Sequence, residues 1–356
     1  MKSVKIGFVL LSNHREPIPS TRISVLNMLP FLRTAGFEPH IVFEPEVATE
    51  TPDVSGLAQR LVAQGFQIIY FQKVHGVSVE AAARDLSSAG VRTVYGVCDL
   101  ISAVMTEVTD ATTTVTDYLR DLYPEGLRSK VHVVHDGIER PDIFKTTCST
   151  NVGSRARPLR AVLVTSANLD HLPIVGSPPS WLEVRIVGRY PPRRQVWQRL
   201  RERRWQWIEK DASERMLYLQ FLMNPRIRCI QWDAVGVYDE MKSADIGIIP
   251  TQATDQSSDE ISAHAWMIKS ENRLTMKMSV GLPVVATAIP AYESVISQAQ
   301  NGFLARSTRE WFEYLNLLRD PALRHAMGKQ ARDSVSTRYS MHAQARSLIR
   351  VLNQLV

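Results

Sequence analysis

Five consecutive residues, Lys269-Ser270-Glu271-Asn272-Arg273, set two cations, a hydroxyl, a carboxylate and an amide directly before a helical run that stops at Gly281. An apolar strand, Leu282 to Thr287, follows at once. Ser270 is placed to cap the helix, which leaves free backbone N–H groups and the positive dipole end beside Lys269 and Arg273. Such a helix start suits a phosphate. In open α/β sheets ligands gather outside the carboxyl ends of strands, so residues following strands are the next candidates. After the first strand come Ser20, Thr21 and Arg22, where Ser20 suits a cap and Arg22 suits an anion. After the third come Gln72, Lys73 and His75, and after the fourth Asp99; His75 or Asp99 could hydrogen-bond the polar groups of a ligand or orient it. The competing reading for each is a structural polar residue with its hydrogen bonds met inside the protein. Arg189 follows a later strand and is either an anion ligand or an ordinary exposed loop cation.

The elements that must position these groups form an α/β alternation along the whole chain, the pattern of parallel sheets covered on both faces by helices. The first half predicts strands at Val4 to Leu11, Pro39 to Phe43, Gln67 to Phe71, Val91 to Val97, Thr112 to Thr116 and Val131 to Val134, with helices at Ser24 to Ala35 and Val54 to Gln64. The second half predicts strands at Ala161 to Thr165, Leu182 to Val187, Ile227 to Trp232, Ile246 to Ile249 and Pro283 to Ala286. Between the halves, Lys145 to Pro158 is polar and lacks apolar period, which reads as a surface linker. We therefore expect domains at 1–150 and 151–339, followed by a terminal helix at 340–356 that could cross back to the first. Its apolar residues Ala345, Leu348, Ile349, Leu352 and Val356 fall on one face.

Length and composition bound the class. The chain has 356 residues, room for two domains, and 44% hydrophobic against 22% charged residues excludes disordered, collagen-like and coiled-coil chains. No run approaches the roughly 18 to 20 apolar residues that span a bilayer. The short apolar run Ile6 to Leu11 reads as a strand rather than a signal segment, and the protein as cytoplasmic. Cys98, Cys148 and Cys229 are odd in number and lack metal-ligand spacing, so no metal site or disulfide framework is expected. Lys and Arg exceed Asp and Glu by 6, a modest excess that favours anionic partners without a nucleic-acid motif. The basic aromatic stretch 193–208 reads as a helix packed on the second sheet, because arginines intrude on its apolar face; peripheral membrane contact stays open as the alternative.

The segment KSENRLTMKMSVGLPVVATAIPAYESVI, with the later NGFLA and DPALRHAMGKQARDSVSTRYS, resembles the C-terminal half of retaining glycosyltransferases of the family-four type. The stretches TDATTTVT at 109–116 and VVHDGIE at 133–139 resemble the inter-strand segment and Asn-Gly-Ile-Asp-like turn of that family. The resemblance implies the GT-B fold, two Rossmann-like doubly wound modules facing each other across a cleft. It also implies a metal-independent enzyme with no cofactor, moving a sugar with retention from a nucleotide-sugar donor to a glycan, lipid-linked or small-molecule acceptor. By the same resemblance Lys269, Ser270, Glu271, Asn272, Arg273 and, second in rank, Arg189 would hold the donor, and Ser20, Thr21 and Arg22 would belong to an acceptor or phosphate loop; from their places at strand ends, Lys73 would join that loop and His75 and Asp99 would be catalytic, meeting sugar hydroxyls or orienting the acceptor. The sequence departs from the family at its paired glutamates, where Ile268 and Met276 stand, and at an Arg and Lys pair, where Thr165-Ser166-Ala167-Asn168 stands. Those departures keep in view a GT-B-like binding or scaffold subunit without turnover, and the shared architecture keeps in view a nucleotide-sugar epimerase.

Overall fold

The computed structural model describes residues 3–165, 173–188, 211–251 and 266–356. Among them the chain forms two parallel six-stranded sheets. The first contains β1 (Val4–Val9), β2 (Phe37–Phe43), β3 (Ile68–Gln72), β4 (Arg92–Gly96), β5 (Ala111–Thr114) and β6 (Val131–Val133), in the order β2-β1-β3-β4-β5-β6. The second contains β7 (Leu159–Val164), β8 (Leu182–Gly188), β9 (Ile227–Gln231), β10 (Ile246–Ile249), β11 (Val284–Thr287) and β12 (Phe303–Ala305), in the order β12-β11-β10-β7-β8-β9. Each expected strand is present within a few residues of its expected ends. The strand β12, which only three residues make, was not anticipated.

Two helical expectations change. Ser24 to Ala35 is not one helix but a helix Pro19–Ser24, a 3-10 turn Leu26–Met28 and a second helix Leu29–Thr34. Val25 leaves helical geometry, and Pro30, which lacks an N–H to donate, sits in the first turn of the second helix, where that loss is harmless. The helix expected from Val54 to Gln64 covers only Leu57–Ala63, after the left-handed Gly56.

The chain divides into two compact units, one made of Met1–Glu139, Ile268–Asn272 and Thr337–Val356, the other of Arg140–Met267 and Arg273–Ser336. The division therefore falls at Glu139 and Arg140, ahead of the 145–158 stretch read as a linker. That stretch is fastened within the second unit. Lys145 donates its backbone N–H to Val280, Arg332 lies over the Phe144 ring at 3.6 Å, and the Arg324 guanidinium donates to the carbonyls of Ser149 and Asn151. In the first unit the helix Met341–Asn353, capped by Ser340, buries Ala345, Leu348, Val351 and Leu352 against Ile6, Phe8, Leu10, Met28 and Leu32. Among the described residues no helix is long and apolar enough to cross a membrane.

Candidate functional site

Strand order in the first sheet reverses between the neighbours β1 and β3, and the carboxyl ends at such a reversal are where open α/β sheets take ligands. Gln72 ends β3 at that point. Its Oε1 accepts from the Leu11 backbone N–H just beyond β1, at 3.1 Å, and from the Thr21 hydroxyl at 2.9 Å. Thr21 in turn accepts from Ser12 at 2.9 Å. Because Leu11 can only donate, the amide orientation of Gln72 is fixed. Ser20 does not cap the helix Pro19–Ser24: it lies inside the first turn, and Ile18 occupies the cap position without a side-chain bond. Arg22 grips Glu139 with Nε at 2.7 Å and Nη2 at 3.0 Å, so its charge already faces a carboxylate.

Lys73 follows with φ of 56°, a left-handed conformation that strains a residue bearing a Cβ. Its Nζ donates to Asp99 at 2.9 Å and lies 3.1 Å from Glu50 Oε1. The His75 ring stands 3.8 Å from the other Glu50 oxygen, and the His75 backbone N–H donates to the Glu50 carbonyl. Lys73, His75 and Asp99 are thus gathered at one place, around a glutamate that sequence reading missed. Burial alone would pull the Lys73 ammonium down, but the charge of Asp99 and its hydrogen bonds to Asp99 and Glu50 hold it above its ordinary value. Burial, reinforced by Asp99, pushes the Cys98 thiol well up, so it is a poor nucleophile.

A second group missed by the sequence sits beyond β6. His135 Nδ1 lies 2.8 Å from the Val115 carbonyl oxygen and 2.9 Å from Glu271 Oε1. Glu271 is only 1% exposed. Burial lowers the His135 imidazole, yet its hydrogen bond and charge attraction to Glu271 prevail and hold it above the usual histidine range. Next to it, burial pushes the Asp136 carboxyl up to about 7, aided by Glu271 and Glu139 and opposed by a hydrogen bond with Ser270. A carboxyl poised near neutrality can hold or release a proton at working pH. Only the run of polar residues after successive strands, Gln72-Lys73, Cys98-Asp99 and His135-Asp136, could have flagged this group.

The segment 268–272 clusters with the first unit, and the helix Asn272–Ser279 continues from it into the second. Ser270 faces Asp136, and its hydroxyl is 3.5 Å from the Asn272 N–H, too long for a firm cap. Lys269, Asn272 and Arg273 are half-buried at the start of that helix. Ile268 is buried with Val115 and Leu119, and Met276 packs in the apolar cluster of Val237, Met241 and Leu282 in the second unit. Deeper in the same helix Lys277 is fully buried, its Nζ donating to the Arg273 carbonyl at 3.2 Å. Burial, with the nearby Arg273 charge, pulls its ammonium down to about 7. In the second sheet the order reverses between β7 and β10, and Thr165 and Thr251 stand just beyond those strands. Arg189, Ser166-Ala167-Asn168 and the 193–208 stretch lie outside the described residues.

No protein-family model matches this sequence, and no curated protein matches it. Solved structures do match, over the full length. A glycosyltransferase from Rickettsia africae aligns with a TM-score of 0.68 at 11% identity, covering 100% of this chain and 99% of its own. Sucrose-phosphate synthase from Thermosynechococcus elongatus gives 0.67 at 13% identity, with 99% of each chain covered. HepE from Anabaena, solved with UDP and glucose, gives 0.64 at 14% identity, covering 99% of this chain and 100% of its own. These likenesses establish the two-module GT-B fold of the chain.

Proposed function

We propose that the chain is a glycosyltransferase that moves a sugar from a nucleotide-sugar donor to a glycan, lipid-linked or small-molecule acceptor, with retention and without a metal. The observation that supports this reading most is the end-to-end match of its fold to HepE, a protein whose structures hold UDP, UDP with glucose, and UDP-glucose. Breaking the bond between the anomeric carbon and the diphosphate leaves positive charge on the sugar ring and negative charge on the departing phosphate. Lys269, Arg273 and the positive dipole end of the helix Asn272–Ser279 are the groups to stabilise that anion. The buried Glu271 is committed to His135, so in this reading ribose contact falls to Asn272 rather than Glu271.

The apolar Ile268 and Met276 favour a second reading, a binding subunit of the same fold that has no turnover. Incubating the intact chain with UDP-, GDP-, ADP- and dTDP-sugars separates the readings. An enzyme transfers or slowly hydrolyses at least one donor, and Lys269→Ala lowers kcat/KM by about tenfold or more, as expected for a lost charge-assisted phosphate contact. An epimerase interconverts donor sugars with no acceptor present. A folded chain that neither binds nor converts any donor refutes the proposal.

A further inference from the structure

Charge is unevenly spread over the first unit. Its stretches 17–37 and 337–356 contain Arg22, Arg33, Arg338, Arg346 and Arg350 and no aspartate or glutamate, so they hold most of the excess of 6 carried by the whole chain. The same two stretches fold together over one face of the first sheet. The helix Met341–Asn353 lays its apolar side on Ile6, Phe8 and Leu10, and Met28 and Leu32 join that core. His342 meets the Phe31 ring edge-on at 5.9 Å, which sets the helix Leu29–Thr34 directly beside it.

At about 100° per residue, His342, Arg346 and Arg350 fall within about 80° of one another, on the side of their helix opposite Ala345, Leu348 and Leu352. All three are exposed, in a line roughly 12 Å long at about 1.5 Å per residue. Arg33 is exposed near the end of the neighbouring helix. Among the described residues Arg33, Arg346 and Arg350 meet no carboxylate, whereas Arg22 is held by Glu139 and Arg338 lies over the Tyr339 ring. The nearest acid along the chain, Glu38, alternates with the buried Phe37 to the other face of β2 and pairs with His40.

A line of unpaired cations free of acids fits an extended anionic surface. The outer side of a helix is convex and offers a small anion no enclosure, and no nucleic-acid motif accompanies it. The neighbouring apolar groups decide the kind of surface. Phe31, Leu29 and Ile349 are only partly buried along this face, and arginine stems can lie along such groups while their heads reach outward. Cations beside half-exposed apolar residues on a helix lying flat match the interface of an anionic bilayer.

We propose that this face of the first unit, the helix Leu29–Thr34 with the outer side of the helix Met341–Asn353, docks on a bilayer surface rich in anionic phospholipid. Arg33, Arg346 and Arg350 meet the headgroup phosphates, and Phe31 and Ile349 reach the boundary beneath them. The docking is independent of the glycosyl-transfer reading, since it needs no donor, and of the 193–208 stretch, since none of its residues lies there. The attraction acts over about one Debye length, roughly 8 Å at physiological salt, so it is reversible and sensitive to salt.

Cosedimentation of the intact chain with vesicles of phosphatidylcholine alone, or of phosphatidylcholine mixed with phosphatidylglycerol, tests this. The chain binds the mixed vesicles, ignores the neutral ones, and is released as salt is raised from about 0.05 to about 0.5 M. Each arginine contributes about fivefold to partition, so Arg33→Gln/Arg346→Gln/Arg350→Gln weakens binding about a hundredfold. Lys242→Gln/Arg309→Gln/Lys329→Gln removes equal charge from exposed positions of the second unit and keeps binding. Melting curves establish that the variants are folded; if the first triple variant is not, Arg346→Glu, expected to weaken binding about 25-fold, decides. Several results overturn the proposal: no binding to the mixed vesicles, equal binding to neutral ones, an unchanged folded first variant, or equal losses in both triple variants. Tighter binding of polyglutamate or duplex DNA than of the vesicles, lost in the first variant, also overturns it.

Discussion

Asp136 carries two opposed demands, burial that favours its neutral form and a Ser270 hydrogen bond that favours the anion. Since its folded pKa, about 7, stands above the unfolded value of 3.8, its protonated form adds stability that is complete below the unfolded value and is lost as pH rises through about 7. The full difference amounts to up to about 4 kcal/mol at high pH. Asp136→Asn removes that slope. Relative to the parent, the variant gains melting temperature as pH is raised from about 5 to about 9, and a parallel pH dependence of the two proteins contradicts the assignment. At this scale the sequence is a partial guide. Lys73, His75 and Asp99 could be singled out because each closely follows an obvious strand. His135 and Asp136 look like a turn, since only the folded chain brings Glu271 from 135 positions away. The reverse holds for Ser20 and Arg22. Their types suit a cap and an anion, but a cap depends on which residue leaves helical geometry first, and Arg22 had a carboxylate waiting at Glu139.

Among elements, the pieces around Arg324 show how one buried cation organises several backbone segments. Its Nη1 donates to the carbonyls of Leu318 at 2.7 Å and Arg319 at 2.9 Å, at the end of the helix Thr308–Leu317, while Nη2 reaches Ser149 and Asn151. Carbonyls at a helix end lack intrahelical partners and attract a cation. Arg324→Met keeps the apolar stem but orphans these carbonyls, and we expect a loss of about 2 to 4 kcal/mol together with faster proteolysis at 145–158. Unchanged melting and unchanged cleavage would rule out the clamp. Strands were readable because both-face burial in a parallel sheet demands apolar runs, as in Ile246–Ile249. The exception, Phe303–Ala305, offers a single short apolar run with no β-branched residue, unlike the equally short Val131–Val133. The polar 145–158 stretch imitates a free linker because its anchoring comes from Arg324 and Arg332, far along the chain.

For the molecule as a whole, the first unit is discontinuous in sequence, completed by 268–272 and 337–356. Deleting 340–356 removes Ala345, Leu348, Val351 and Leu352 from its core. At about 1.5 to 3 kcal/mol for each of the larger side chains, the loss approaches the 5 to 15 kcal/mol that holds a typical domain folded. Hydrogen exchange of the truncated chain should show β1 to β6 losing protection while β7 to β12 keep it. Equal protection in both sheets would mean that the helix Met341–Asn353 is dispensable.

This arrangement also sets a timetable for biosynthesis. At about 5 to 20 residues per second, a ribosome takes roughly 10 to 40 s to travel from Glu139 to the last turn of the Met341–Asn353 helix. Throughout that interval the nascent chain must carry the greasy flank of its first sheet without its permanent cover, while the later Rossmann unit can consolidate first. The part made earliest is therefore finished last, and it is the part for which chaperone attendance would matter most.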